Sequence, residues 1–273
     1  MPNTHVYLPA TSSLPTSHPG VGLLTLDDGK MNAFSFAMLS AVDAALSRFE
    51  GDAAVTAVVI RGNRRAFSAG FDLSVMGGKD TSPEAMAERE RMYVLGARLV
   101  LRIYAFPKPV VMAATGHGLA LGAILLMAGD VRVGPAPPLP PRPPYLSSAL
   151  PESSGSGSTQ HKKRPKKKRK EAKFGMNEVA IGMTVPDYAL ALAHARLLPG
   201  EVTQCVTMAK ICGAEEARRI GYLDVVVSGD GVLGAAMEEA ARLGKYVTRE
   251  RVGVRGREME RECTLRVLCV CRG

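Results

Sequence analysis

Val55-Thr56-Ala57-Val58-Val59-Ile60 is a continuous apolar run rich in β-branched residues, the pattern of a strand covered on both faces. Upstream, Met38, Leu39, Val42, Ala45, Leu46 and Phe49 recur at intervals of three and four and predict a helix, with Asn32 or Ser35 as its cap. Further upstream, Gly22 to Leu26 alternates like a strand and ends in the turn Asp27-Asp28-Gly29. Strand, helix, buried strand is the order of an α/β crossover, and α/β is the predicted class.

The pattern continues downstream. Ser82 to Ile103 is a long helical stretch that must stop before Pro107. Pro109 to Ala114 reads as a strand, Leu119 to Ala128 as a buried helix and Val131 to Val133 as a strand. Composition then breaks. Residues 135–173 hold nine of the eighteen prolines, a Ser/Gly run and the basic run Lys162 to Lys170. Such a segment buries too little apolar surface to offset the entropy of ordering it, so a disordered insertion is expected. Globular patterning returns at Phe174, with helices over Asp187–Leu198, Ala214–Ile220 and Gly231–Leu243 and a strand over Leu223–Val227. Residues 1–19 are expected to be unstructured, and 245–273 form an Arg/Glu-rich tail without a regular pattern.

The chain has 273 residues and a net charge of +9. The insertion contributes +8 and the tail +4, which leaves a slightly acidic body and weakens a nucleic-acid reading. No apolar run is long enough to span a membrane. The five cysteines (205, 212, 263, 269, 271) are odd in number and lack a CxxC pair, so free thiols and no zinc site are expected. The first nineteen residues have neither the basic start nor the apolar stretch of a signal peptide. An intracellular location follows as an expectation, with peroxisome, mitochondrion and cytoplasm all open.

Two glycine turns stand where chemistry could sit. Gly116-His117-Gly118-Leu119-Ala120-Leu121-Gly122 leads from a strand into a helix whose first N–H groups are free to bind an oxyanion. Leu121 stands where a dinucleotide fingerprint would need its third glycine. Phe67-Ser68-Ala69-Gly70-Phe71-Asp72-Leu73 is the second turn. Together they offer two clusters of backbone N–H to one oxygen.

In that order, Lys30-Met31-Asn32-Ala33, Ala66 to Leu73, Pro107-Lys108-Pro109-Val110-Val111, Gly116 to Asp130 and Gly175-Met176-Asn177-Glu178-Val179-Ala180-Ile181-Gly182 resemble the crotonase (enoyl-CoA hydratase/isomerase) superfamily. So does Ala214 to Asp224; the resemblance covers roughly residues 20–134 and 174–244. It implies a spiral of ββα turns, here with an atypical C-terminal helical part and the extra segment 135–173. It implies an acyl-CoA thioester as substrate, no cofactor beyond the coenzyme A that the substrate carries, and a homotrimer or hexamer where the tail permits one.

The resemblance also implies an oxyanion hole made by the backbone N–H of Phe71 and Leu121, with the bulky Leu121 side chain narrowing the pocket. Lys30, Ala66, Ser68, Ala69, Gly70, Asp72, Leu73 and Gly122 would line the coenzyme A groove, mostly through backbone groups. Of the two glutamates used by hydratases, the first would fall at Ile124 and the second at Glu178. One carboxylate with an enolate-stabilising hole suffices to move a double bond, so a Δ3,Δ2-enoyl-CoA isomerase of fatty-acid oxidation is expected, with Glu178 as the base. An enoyl-CoA hydratase is the alternative. From other classes come an inactive relative and a nuclear or nucleic-acid-binding protein acting through Lys162–Lys170. His117 is expected to be a structural turn residue, Asp72 a loop anchor and Asp187 a helix cap.

Overall fold

The computed structural model describes residues 9–137 and 171–246. β1 (Ala10–Ser13) and β2 (Val21–Leu26) open the chain. Next come α1 (Phe36–Gly51), β3 (Ala57–Arg61), β4 (Ala66–Ser68), α2 (Leu73–Met76) and α3 (Pro83–Tyr104). β5 (Val110–Ala113), β6 (His117–Leu119), α4 (Leu121–Ala128) and β7 (Val131–Pro135) complete the first part. The second part holds β8 (Phe174–Gly175), a 3-10 turn at Val179–Ile181, α5 (Asp187–Arg196), α6 (Val202–Val206), α7 (Ala214–Ile220), β9 (Val225–Val227) and α8 (Val232–Gly244). No described helix is long and apolar enough to cross a membrane.

A six-stranded sheet runs in the order β1-β2-β3-β5-β7-β9, and a three-stranded one in the order β4-β6-β8. Only β1 is antiparallel to its neighbour. β3 shows why the large sheet sits where it does. Val58 and Ile60 enter the main core with α1, α3 and α4, while Ala57 and Val59 face a second core built on Val232, Ala236, Met237 and Ala240 of α8. A strand buried on both faces has no polar side to alternate with. All eight residues of α4 are buried, as its uniformly apolar sequence requires.

Helix ends follow local chemistry. Ser35 caps α1 through its side chain, and Ser82 caps α3 with Pro83 at the first helical position. Gly221, at φ +110, ends α7. Lys108 is buried and its ammonium donates to the carbonyls of Phe49 and Asp52, where positive charge complements the C-terminal end of α1. Arg132 is buried at the β7–β9 join. It forks onto the Asp224 carboxylate and donates to Gly221 O at 2.8 Å, while Asp224 N–H donates to Arg132 O at 2.9 Å.

Several expectations need correction. Residues 1–19 are not all unstructured, because Ala10–Ser13 pairs with Leu23–Leu26 and closes one edge of the large sheet. The extra segment starts later and ends earlier than its composition suggests. Pro135 completes β7, Ala136 N–H donates to Val227 O, and Ala172 is buried in the core. The predicted helix from Leu119 begins at Leu121, since His117–Leu119 pairs with β4 and β8. Asp187 is not a cap. Pro186 holds that position, and Asp187 sits inside the first turn. The Lys162–Lys170 run, most of the expected insertion and the tail after Tyr246 lie outside the described residues. Of the cysteines, Cys205 and Cys212 are buried free thiols; the other three lie outside.

Asn32, expected as a possible helix cap, is a fully buried junction with φ +54. Its Nδ2 donates to the carbonyls of Leu26, Ala66 and Phe67 at 2.9–3.1 Å. Its Oδ1 accepts from Asp28 N–H and from Asn63 Nδ2, both at 3.1 Å. Its carbonyl accepts the Ser68 hydroxyl at 2.7 Å. The loop after β2 is thereby tied to β4. Replacing Asn32 with Ala strands these groups, so Asn32→Ala should lower stability by about 3 kcal/mol, read as a fall in the urea unfolding midpoint.

Candidate active site

β4 ends at Ser68, whose hydroxyl accepts from Gly70 N–H at 3.0 Å. Gly70 then turns the chain with φ +100, a conformation that side chains rarely adopt. Phe34 clamps the next residue from both sides. Its N–H donates to Gly70 O at 2.8 Å and its carbonyl accepts Asp72 N–H at 3.2 Å. The Phe71 N–H, between these bonds, donates to no protein acceptor among the described residues. Asp72 caps α2 by accepting Ser74 N–H at 2.9 Å, which bears out its expected role as a loop anchor.

The second turn approaches the first. A Cβ on Gly70 would lie 3.4 Å from Leu121 N and 2.7 Å from the Ala120 Cβ. The two glycine turns are therefore in van der Waals contact, and the Phe71 and Leu121 amides lie on adjoining segments. Leu121 is the first residue of α4, where no preceding turn can accept its N–H. Ala120 before it has φ +49, an uncommon conformation for a non-glycine residue. Gly122 lies against β4, where a Cβ would come within 2.4 Å of Ser68 O, so only glycine lets α4 start this close.

The Leu121 side chain does not narrow the pocket. It is buried and runs toward Gly96 of α3, where its Cδ2 would be 3.6 Å from a Cβ added there. The same Cβ would meet the Phe71 ring at 2.4 Å. Gly96 thus gives the Phe71 ring its seat.

Beside these turns is a cavity of about 90 Å³. Its lining includes Ala69, Phe71, Leu73, Ala120 and Ile124 from the first part of the chain. Asn177, Glu178, Met183 and Tyr188 line it from the second part, and Tyr93 of α3 closes one side. The Tyr93 ring stacks on Phe71 at 6.0 Å between centroids and meets Tyr188 edge-on at 6.4 Å. Four residues singled out from the sequence thus reach the cavity by their own atoms: Ala69, Phe71, Leu73 and Glu178. Gly70 and Leu121 are not part of the lining but are chain neighbours of Ala69, Phe71 and Ala120, which are. Ala66, Ser68 and Gly122 are buried behind it, and Lys30 is exposed on the turn after β2. Asp72 is not part of the lining. His117 is structural, as expected: its Nδ1 accepts Lys173 N–H at 3.0 Å.

Glu178 is buried before the 3-10 turn, and its carbonyl accepts from Ile181 and Met183 N–H at 3.1 and 2.9 Å. Its carboxyl is pushed up to about 7 by burial in apolar surroundings, partly offset by its own backbone N–H. A carboxyl in that range exchanges protons near neutrality. Its Oε2, the Asn177 Oδ1 and the Tyr188 hydroxyl are all buried without a hydrogen-bond partner. The phenols of Tyr93 and Tyr188 are both pushed upward, chiefly by burial. The sequence reading missed Tyr93 and Tyr188, and it placed Asn177 in a motif without giving it a role of its own. Asn177 adjoins Glu178 in sequence, but the tyrosines sit on helical stretches where an aromatic reads as ordinary core.

The chain is similar to known proteins in sequence and in fold. The family model described as enoyl-CoA hydratase/isomerase matches residues 16–136. A probable enoyl-CoA hydratase of Bacillus subtilis is 37% identical over 117 residues, 41% of this chain and 42% of that protein. The short-chain-enoyl-CoA hydratase of Clostridium acetobutylicum is 26% identical over 226 residues, 82% of this chain and 71% of that one. A solved enoyl-CoA isomerase of Mycobacterium tuberculosis superposes with a TM-score of 0.74 at 29% identity, covering 96% of this chain and 95% of the other. An enoyl-CoA hydratase, EchA3, of Mycobacterium ulcerans gives 0.73 at 30% identity over 96% and 95%. With its fold, its two apposed glycine turns and its buried glutamate, the chain belongs to the crotonase (enoyl-CoA hydratase/isomerase) superfamily.

Proposed function

We propose that the protein is a Δ3,Δ2-enoyl-CoA isomerase, with Glu178 as the base that moves the proton. The observation that carries this reading is the single carboxylate: among the described residues lining the cavity, Glu178 is the one acid, and Ile124 is apolar. Hydration needs one group to activate water and another to deliver a proton. Shifting a double bond needs one group that takes a proton and returns it elsewhere.

In the proposed reaction the ionised Glu178 removes a proton from C2 of a 3-enoyl thioester. The C2–H electron pair moves into a C1–C2 double bond, and negative charge collects on the thioester oxygen. The Phe71 and Leu121 amides would hold that oxygen, and preorganised donors of this kind are worth roughly 3 kcal/mol each in barrier. When the carbonyl re-forms, the C2–C3 double bond forms and the former C3–C4 pair takes the proton from Glu178 at C4. The carboxylate is regenerated and no other reactant is consumed. Donors from the main chain need no charge of their own, which keeps the site apolar and Glu178 a strong enough base.

Hydration is the second reading, favoured by the relatives described as hydratases. Incubation with a trans-3-enoyl-CoA, followed by the absorbance of the conjugated 2-enoyl thioester, tests the first reading. Loss of that absorbance from crotonyl-CoA tests the second. A homotrimer or hexamer and a role in fatty-acid oxidation remain the expected setting, the former to be read by analytical ultracentrifugation.

Glu178→Gln should lower kcat at least 10³-fold with thioester binding retained, which a turnover assay and isothermal titration would check together. In the wild type, kcat/KM should rise with pH through about 7 as Glu178 ionises. Stability should run the other way. The folded carboxyl holds its proton more tightly than the unfolded one, so stability falls as pH rises from about 4.5 to about 7. Glu178→Gln carries no charge to desolvate, and its thermal midpoint at pH 8 should exceed that of the wild type.

A further inference from the structure

We infer that Tyr188 is a positioning residue for Glu178, its phenol donating a hydrogen bond to the carboxylate when that group ionises. The inference rests on the reading of Glu178 as the base and adds a second residue to it.

Two leftover hydrogen-bonding groups carry the argument. Glu178 Oε2 and the Tyr188 hydroxyl are both buried and both lack a partner, and the two residues line the same small cavity. Buried polar atoms in folded proteins are very largely satisfied, so an orphan acceptor and an orphan donor on one cavity are complementary. The cost of leaving them apart is modest while Glu178 is protonated. It grows when the carboxylate carries charge, because a bond to an ionised acceptor is about twice as strong as a neutral one.

Other groups near Glu178 do not fill this role. Tyr93 is the other titratable side chain that shares the cavity, and its phenol already interacts with Thr184. Asp187, at the start of α5, bears on Tyr93 and is exposed. No cationic side chain lines the cavity among the described residues. The unpartnered atom of Asn177 is its acceptor, Oδ1, so the orphan donor among the described residues lining the cavity is the Tyr188 hydroxyl. Tyr188 therefore supplies a donor to the Oε2 of an ionised Glu178, beside the residue's own backbone N–H. Its phenol is held in its neutral, proton-bearing form by burial, so it stays a donor across the working pH range. The fold gives it little freedom to leave: its ring packs edge-on against Tyr93, and it sits in the first turn of α5 behind Pro186.

The test is the pH dependence of kcat/KM for a trans-3-enoyl-CoA. Removing a donor from a carboxylate makes it harder to ionise. Tyr188→Phe should therefore move the acid limb up by about one pH unit, the size of a bond to a charged group. It should lower kcat/KM about tenfold at pH 6 and much less at pH 9. Tyr188→Met, similar in length and also without the hydroxyl, should shift the limb in the same direction, and either variant suffices if the other folds poorly. A limb that stays at the wild-type pH in a folded variant overturns the inference, even if the rate falls uniformly. A wild-type profile with no limb controlled by Glu178, shown by an unchanged Glu178→Gln profile, would instead overturn the underlying reading of the base.

Discussion

The side chain of Asn32 holds together the parts on which the site depends. One amide, fully buried, reaches the end of β2 and both carbonyls at the start of β4, while its own carbonyl oxygen restrains Ser68. Ser68 in turn accepts from Gly70 N–H, and the next amide is that of Phe71, which donates to no protein acceptor among the described residues. Three covalent or hydrogen-bonded steps thus run from a structural asparagine to a proposed catalytic donor. Buried networks of this kind are rigid because every member is satisfied, and each lost bond leaves a desolvated group behind. The contrast with the cavity is informative. Behind the turns almost every polar atom is paired, and the unpartnered atoms of Asn177, Glu178 and Tyr188 cluster where a ligand would enter.

The apolar lining has two opposed effects on Glu178. It withdraws water from the carboxylate and so weakens the folded state once the group ionises. It also makes the same group a better base, since an anion deprived of solvent gains more from taking a proton. In the proposed reaction the two amides would act without adding charge that would reverse this. Aromatic rings complete the enclosure, with Phe71, Tyr93 and Tyr188 in a continuous series from the first glycine turn to α5.

Much of this was legible in the residues. Val55 to Ile60 announced a strand covered twice, and α8 proved to be the second cover. The two glycine turns were also legible, because a tight turn and a close backbone approach require small residues, and Glu178 was reached through the resemblance of Gly175 to Gly182 to the family. The small sheet was not legible. β4, β6 and β8 have two or three residues each, too few for any period to emerge, and their pairing is set by Asn32 and by His117. Nor was the direction of Leu121, which looked like an obstruction. Its side chain points into the core because Ala120 adopts a positive φ just before the helix, and nothing in an Ala-Leu pair signals that. Tyr93 and Tyr188 were hidden for a different reason: on a helix, an aromatic facing a cavity and one facing the core occupy the same pattern.

The seat that Gly96 provides for Phe71 has a consequence for comparing this chain with its relatives. Gly96 touches the back of the ring and is no part of the cavity wall. A larger residue there would push the ring forward and shrink the space in front of it, with every wall residue unchanged. Two chains with the same inventory of wall residues can therefore differ in the ligands they admit. The shape of the chamber is inherited partly from the layer behind it, and substrate range in such proteins is a property of two shells of sequence.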